Sequence, residues 1–402
     1  MYGCSLGYLR YREIRQNKMK ILHVIPSFWS GSGGPSRALV KICRAHCSTC
    51  PEHTIDISST TYGQTEKWSE YVKNYLPPGV NVRLFKQSGR HTTNFSIQLY
   101  RWLKSNLTKY DVIHIHSVFH PISSTAMFTA NRLNVPYIVR PLGTLSPYTF
   151  NHRNKIIKKT YFEIIDKKLL NNSSGIHYTS EQEFRKAQRL GLSARKYVIP
   201  LPYESMKIGR EKPHGNIQLL YLSRLHPKKG VELLLQSLKN IVNGNPDIKL
   251  MLAGSGDRSY EKKLIEIVNK LDLGHNVVMT GFVDGQEKER LIQTSDIFIL
   301  PSYEENFGIA IAEAMDAGLP VIITKGVDIW DTVEEYNAGL IAEQSVESIT
   351  SAIRNLVKNR DLRETMGKNG QRLVKEEFDP LIIGKKLVEM YYSIDSTTEV
   401  RA

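Results

Sequence analysis

The chain has 402 residues, 41% hydrophobic and 23% charged, which is enough for two domains that each bury a core. No apolar run approaches the roughly 18 residues of a membrane span, and the first 18 residues lack the apolar stretch of a secretory signal. The net charge of +14 is unevenly spread: residues 1–200 hold 29 Lys and Arg against 10 Asp and Glu (+19), and the remainder 25 against 30 (−5). A basic half of this kind faces an anionic partner, whether nucleic acid, anionic lipid or a phosphate-bearing substrate. Zinc-finger spacing and aromatic RNP-like strands are absent, so no nucleic acid is expected, and an anionic membrane surface is the preferred reading.

In chain order, residues 1–18 read as an extension ahead of Met19 and a first strand at Ile21–Ile25. Gly31-Ser32-Gly33-Gly34-Pro35 then joins that strand to a helix. This is not the dinucleotide fingerprint, because position 36 is Ser, and no acid beyond Asp56 closes the second strand, so NAD is not expected. Cys47 and Cys50 have the spacing of a redox or metal pair. With no second paired cluster, and with Cys43 and Cys47 on one helical face, they are read as reduced, structural thiols. Further strands are expected at Thr54–Ile57, Val80–Phe85, Val112–His116, Tyr137–Arg140 and Gly175–Tyr178. Alternation places His114 and His116 on one face, as a metal pair or as strand-end packing.

Asn151–Leu170 is a cationic amphipathic stretch, with Ile157, Tyr161, Ile164, Ile165 and Leu169 along one helical stripe and Lys155, Lys158, Lys159 and Lys167 mostly off it. Two readings stand: a helix on an anionic bilayer, or a surface helix whose stripe packs into the core. Tyr197–Pro202 reads as an extended linker. The strand–helix alternation then restarts at Ile217–Leu222, Lys249–Ala253, Val277–Thr280, Asp296–Leu300, Val321–Thr324 and Gly339–Ala342. Alternation on this scale predicts an α/β chain of two Rossmann-like parallel domains.

The densest block is DIFILPSYEENFGIAIAEAMDAGLPVIIT. It reads as a buried strand to Leu300, a polar loop, a helix over Gly308–Ala317 stopped by Gly318 and Pro320, and another buried strand. Glu305 sits in the loop, and Glu313 lies eight positions on, about two turns into the helix. Upstream, the cationic run Ser223-Arg224-Leu225-His226-Pro227-Lys228-Lys229-Gly230 leaves a strand and opens a helix, which suits a phosphate group. Ala253-Gly254-Ser255-Gly256-Asp257 leaves the next strand at the same sheet edge.

The Glu305–Glu313 block, with Pro301-Ser302, Asn306-Phe307-Gly308, Glu313-Ala314-Met315 and Gly318-x-Pro320-Val321, resembles the Glu-x7-Glu signature of retaining, family 4 glycosyltransferases of the GT-B fold. The resemblance covers residues 19 to about 395. It implies two Rossmann-like domains facing a deep cleft: residues 19–202 with 378–402 binding the acceptor, and residues 203–377 binding a nucleotide sugar. By the same resemblance Arg224 and Lys229 grip the donor diphosphate, Glu313 the ribose hydroxyls, and Glu305 the sugar hydroxyls, aided by backbone amides around Asn306, Phe307 and Gly308. Gly33, Gly34 and Gly254 join the donor site, and His116, Arg140 and Thr144 fall on the acceptor side. His116, Glu305, Arg224 and Lys229 are the implied catalytic residues. Arg140-Pro-Leu-Gly-Thr144 departs from the His-Gly pair of many relatives and resembles a version found in polysaccharide builders.

No Asp-x-Asp sequence occurs, so cationic side chains are expected to stand in for a metal on the diphosphate. The implied enzyme needs no metal and no cofactor. It moves a hexose to a saccharide or lipid-linked saccharide in cell-surface polysaccharide or glycoconjugate synthesis, in the cytoplasm and with peripheral contact at the plasma membrane. The alternatives are a GT-B sugar-nucleotide epimerase and a non-catalytic nucleotide-sugar-binding protein.

Overall fold

The computed structural model describes residues 18–28, 34–61, 74–88, 95–151, 155–206, 209, 216–244 and 247–395. Residues 1–17 of the expected extension (residues 1–18) and Gly33 lie outside these. The chain separates into two compact units, Met1–Pro202 with Pro380–Ala402, and Tyr203–Asp379. The first unit resumes at Pro380, where the last helix opens, two residues after the expected domain boundary at 378. The preceding helix runs to Glu377, and Phe378 packs its ring on Phe307, inside the second unit.

The first unit is built on a seven-stranded parallel sheet. Its strands are β1 (Lys20–Ser27), β2 (Thr54–Thr60), β3 (Asn81–Phe85), β4 (Val112–His116), β5 (Tyr137–Arg140), β6 (Gly175–Tyr178) and β7 (Lys196–Val198), in the order β3-β2-β1-β4-β5-β6-β7. β4, β5 and β6 are buried at every position, as strands covered on both faces are. Register pairs His23 with His114 and His116 with Arg140, which collects polar side chains near the middle of the sheet. The expected linker at Tyr197–Pro202 is only partly one. Lys196–Val198 pairs with β6 as an edge strand, and any side chain at Gly175 would overlap the Tyr197 ring.

The helix Pro380–Asp395 lies on the helix Gly34–Thr49, where Gly384 permits close approach to the Ala45 carbonyl and Thr49. It is also tied down by polar contacts, from Tyr391 Oη to His114 Nδ1 (2.8 Å) and from Tyr392 Oη to His53 Nε2 (2.9 Å).

The second unit holds a six-stranded parallel sheet of β8 (Gln218–Leu222), β9 (Lys249–Ala253), β10 (Val277–Gly281), β11 (Ile297–Leu300), β12 (Val321–Thr324) and β13 (Gly339–Ala342). The order β10-β9-β8-β11-β12-β13 reverses between β8 and β11. Ligands of open parallel sheets bind where the order reverses, outside the strands' carboxyl ends. The cationic loop leaves β8 and the Glu305 loop leaves β11, so both arise at that point. Among the described residues no helix is long and apolar enough to cross a membrane.

Candidate active site

Hydrogen bonds fasten the β8 and β11 loops to one another. Lys228 O accepts from Tyr303 N (2.8 Å) and Ser302 Oγ (3.1 Å). Gly230 adopts φ +71° with its α-carbon against the Pro301 carbonyl, where any Cβ would overlap the backbone. The left-handed conformation and the missing side chain are both needed for this contact. His226 caps the short turn Pro227–Lys229 by accepting from Lys228 N (3.2 Å).

This framework aims three cations differently. Lys229, nearly buried, forms an ion pair with Glu305 Oε2. Lys228 lies 3.8 Å from Glu304. Its pKa is drawn down by burial and by the neighbouring Lys229 charge, against the opposing pull of Glu304 and Glu305. Arg224 is exposed, and its guanidinium makes no hydrogen bond or ion pair among the described residues.

Glu305 is anchored at both ends of its peptide unit. Its N–H donates to Gly326 O (3.0 Å), and its carbonyl accepts from Asp328 N (2.8 Å) in the loop after β12. Its Oε1 accepts from Asn306 N (3.1 Å). The carboxylate is therefore held between a lysine and a backbone amide, a fixed acceptor. Phe307 is buried against Phe378 (centroids 4.8 Å apart), so it seats the loop with its ring and leaves only its backbone to face a ligand. Gly308, at φ +71°, starts the helix Ile309–Asp316. The helix is shorter than expected, and Glu313 lies just over one turn into it. Lys288 Nζ bonds Glu313 Oε1 at 2.8 Å, with both side chains largely buried.

Gly254 is placed beside the Arg224 loop, but its lack of a side chain has a reason within the protein. A Cβ there would overlap Ser223 O, and one at Gly256 would overlap Leu225 O. The two loops are joined by Ser223 N to Ala253 O (3.1 Å) and Leu225 N to Ser255 O (2.9 Å). The glycines thus let the β9 loop brace the cationic loop from behind.

In the first unit, His116 ends β4 and Arg140 ends β5, both buried. His116 Nε2 is 2.9 Å from His23 Nδ1, and His114 Nε2 is 3.3 Å from His177 Nδ1, whose Nε2 donates to Ile199 O (2.9 Å). Burial first, and the Arg140 charge second, lowers His23 to about 3. His177 is also lowered to about 3 for the same reasons, and His114 and His116 fall well below the ordinary range. Arg140 itself is drawn down to about 10 by burial, opposed by Glu183 and Tyr391. Its Nε and Nη1, with His116 Nδ1 and His23 Nε2, are buried and make no hydrogen bond.

The loops that follow are strained. Ser117 (φ +82°), Phe119 (+58°) and Leu142 (+61°) are left-handed without being glycine, asparagine or aspartate. Thr144 lies in the second of these loops, its hydroxyl donating to Pro141 O (2.6 Å). Gly34 opens the first helix with open space on its Cβ side.

His23, His114 and His116 present ring nitrogens close enough together to share a metal ion. A dication there would sit beside a buried guanidinium with no carboxylate ligand, an arrangement that burial makes costly. Cys43 and Cys47 are free thiols, and burial raises the pKa of both, keeping them protonated and poorly nucleophilic.

The family described as "Glycosyl transferase 4-like domain" matches residues 33–202, and "Glycosyl transferases group 1" matches residues 204–373. The chain belongs, through these two domains, to the glycosyl transferase 4-like and group 1 families, and its fold is that of GT-B structures. It is 31% identical over 175 residues to an uncharacterized glycosyltransferase of Methanocaldococcus jannaschii (43% of this chain, 44% of that one). It is 30% identical over 187 residues to the capsular polysaccharide biosynthesis glycosyltransferase CapM of Staphylococcus aureus (44% of this chain, 46% of that one). The matches thus span less than half the length of these two relatives. Among solved structures, Anabaena HepE in complex with UDP and glucose superposes with a TM-score of 0.73 at 20% identity, covering 93% of this chain and all of HepE.

Three neighbours of the candidate site carry no sequence signal: Lys288 on the helix before β11, and His23 and His177 on β1 and β6. Each reaches its partner only through sheet packing, and none stands in a recognisable motif.

Proposed function

We propose that this glycosyltransferase moves a hexose from a nucleoside-diphosphate sugar to a saccharide or lipid-linked saccharide, with retention of anomeric configuration and without a metal ion. The observation that carries the reading is the pairing of the β8 and β11 loops. It sets an unengaged Arg224 and a carboxylate-held Lys229 at the strand ends where parallel sheets bind phosphates. Arg224 grips two oxygens of the diphosphate, and Lys229 acts as a point charge. Charge builds on the leaving diphosphate as the glycosidic bond breaks, so fixed cations favour the transition state over the bound donor. In the retaining course, the acceptor oxygen bonds to the anomeric carbon on the face the diphosphate leaves, and its proton passes to a departing phosphate oxygen.

Glu313 accepts from the ribose hydroxyls and Glu305 from those of the donor sugar, each carboxylate already oriented by its lysine. Asn306, with the backbone of Phe307 and Gly308, lines the sugar side, and Gly254 holds the diphosphate loop in place. Gly33 and Gly34 are assigned to donor binding on the sequence resemblance alone. His116, Arg140 and Thr144 receive the acceptor, and the unpartnered nitrogens of Arg140 and His116 favour an oxygen-rich group there. Metal independence rests on these cations and on the lack of an Asp-x-Asp sequence.

HepE, solved with UDP and glucose, makes UDP-glucose the first donor to try, and the name of CapM points to cell-surface polysaccharide as the product. The test is NMR of the sugar released or transferred from UDP-glucose, GDP-mannose or ADP-glucose, with EDTA present. An axial anomer formed first from an α-linked donor, at a rate EDTA leaves unchanged, is expected. An inverted anomer overturns the retaining course, and a rate abolished by EDTA overturns metal independence.

A further inference from the structure

We propose that the segment Lys155–Asn171 is a docking surface for an anionic lipid bilayer. It deepens the reading of a lipid-linked acceptor by naming the face that meets the membrane. The segment is helical with a π-turn at Phe162–Asp166, and it is firmly seated. Phe162, Asp166, Leu169 and Leu170, spaced i, i+4, i+7 and i+8, form its buried face. Asp166 accepts from Phe119 N (2.8 Å) and Ser124 Oγ (2.7 Å), and Tyr161 Oη donates to Ser124 Oγ (2.8 Å).

With that face committed to the core, most of the apolar stripe noted in the sequence points outward. Ile156 is 80% exposed, Ile157 69%, Ile164 71% and Ile165 37%. Four exposed isoleucines within ten residues form a patch that soluble surfaces seldom leave uncovered. Lysines flank it. Lys155, Lys159 and Lys168 are exposed with no ion pair among the described residues, whereas Lys167 pairs with Glu163 at 3.0 Å.

Isoleucines interleaved with unpaired lysines match the boundary between acyl chains and acidic headgroups. Nucleic acid would use the lysines and leave the isoleucines wet, so the apolar half of the patch decides for lipid. The basic excess of residues 1–200 adds a long-range attraction of the same sign.

The test is sedimentation of the full-length protein with vesicles of phosphatidylcholine alone or mixed with phosphatidylglycerol, without any sugar donor. Its outcome is therefore separate from whether the protein transfers a hexose. Wild type is expected to partition into the anionic vesicles about tenfold or more above the neutral ones, less so at high salt. The triple variant Ile156→Ser/Ile157→Ser/Ile164→Ser is expected to lose that binding with an unchanged melting temperature, since all three side chains are already in water. Lys155→Glu/Lys159→Glu/Lys168→Glu is expected to lose it too. Equal binding by wild type and the isoleucine variant overturns the proposal, as does no binding by wild type at low salt. A soluble dimer that the isoleucine substitutions dissolve, without vesicle binding, assigns the patch to a second copy of the chain and overturns it equally.

Discussion

Acidification is expected to unfold the first unit through its buried imidazoles. His23 and His177 are held neutral with pKa values of about 3, and His46, His114 and His116 also lie well below 6.5, all chiefly through burial. A base whose folded pKa is depressed takes up its proton more readily when unfolded. The stability contribution is therefore complete above the unfolded value near 6.5 and is lost as pH falls from there towards 3. At pH 5 His23 and His177 each cost about 2 kcal/mol, from about 1.4 kcal/mol per pH unit. These two alone remove about 4 kcal/mol, a large part of the 5–15 kcal/mol typical of a domain, and His46, His114 and His116 act in the same direction. Urea unfolding followed by tryptophan fluorescence between pH 8 and pH 4.5 measures this directly. The midpoint is expected to fall steeply below pH 6.5, with a slope of several protons. A midpoint that is flat between pH 7 and pH 5 would refute the assignment of these histidines as buried and neutral.

Other substitutions probe the second unit and the closing helix. Gly230→Ala forces a Cβ onto the Pro301 carbonyl at φ +71°. A loss on the order of 3 kcal/mol in urea unfolding is expected, together with weakened nucleotide binding as the two loops separate. Glu313→Gln should reduce affinity for a nucleoside diphosphate about tenfold and leave inorganic pyrophosphate binding unchanged; an equal loss for both ligands would place Glu313 at the phosphates instead. Tyr391→Phe removes the hydroxyl that meets His114 Nδ1. It should cost about 1–2 kcal/mol in unfolding free energy, and a neutral result would mean that the Tyr391 hydroxyl contributes nothing to holding the closing helix.

Much of the architecture was legible because parallel strands buried on both faces advertise themselves. Val112–His116, Tyr137–Arg140, Gly175–Tyr178, Lys249–Ala253, Val321–Thr324 and Gly339–Ala342 are strands with the expected bounds. β7 was missed because an edge strand of three residues ending before Ile199 and Pro200 has no period to read. Two features of the Glu305–Glu313 block are set by backbone geometry rather than residue pattern. The left-handed Gly308 delays the helix start and places Glu313 one turn in, and Phe307 turns inward onto Phe378.

The amphipathic stripe at Ile157–Leu169 could be placed on a helix but not oriented. Its inward face is chosen by Asp166 finding Phe119 and Ser124, partners more than 40 residues away. Ion-pair partners such as Lys288 are likewise tertiary facts. A glycine-x-glycine after β9 reads as a ligand loop in sequence, yet contacts with Ser223 and Leu225 already require both glycines.

Titration calorimetry of UDP, GDP and ADP, with EDTA and then with magnesium, on wild type, Lys229→Ala and Arg224→Ala tests the central claim most directly. One nucleoside diphosphate is expected to bind wild type equally well in either condition, and at least about tenfold more weakly in each variant. Binding that requires magnesium, or that survives both substitutions unchanged, would contradict a cationic diphosphate site at the β8 loop.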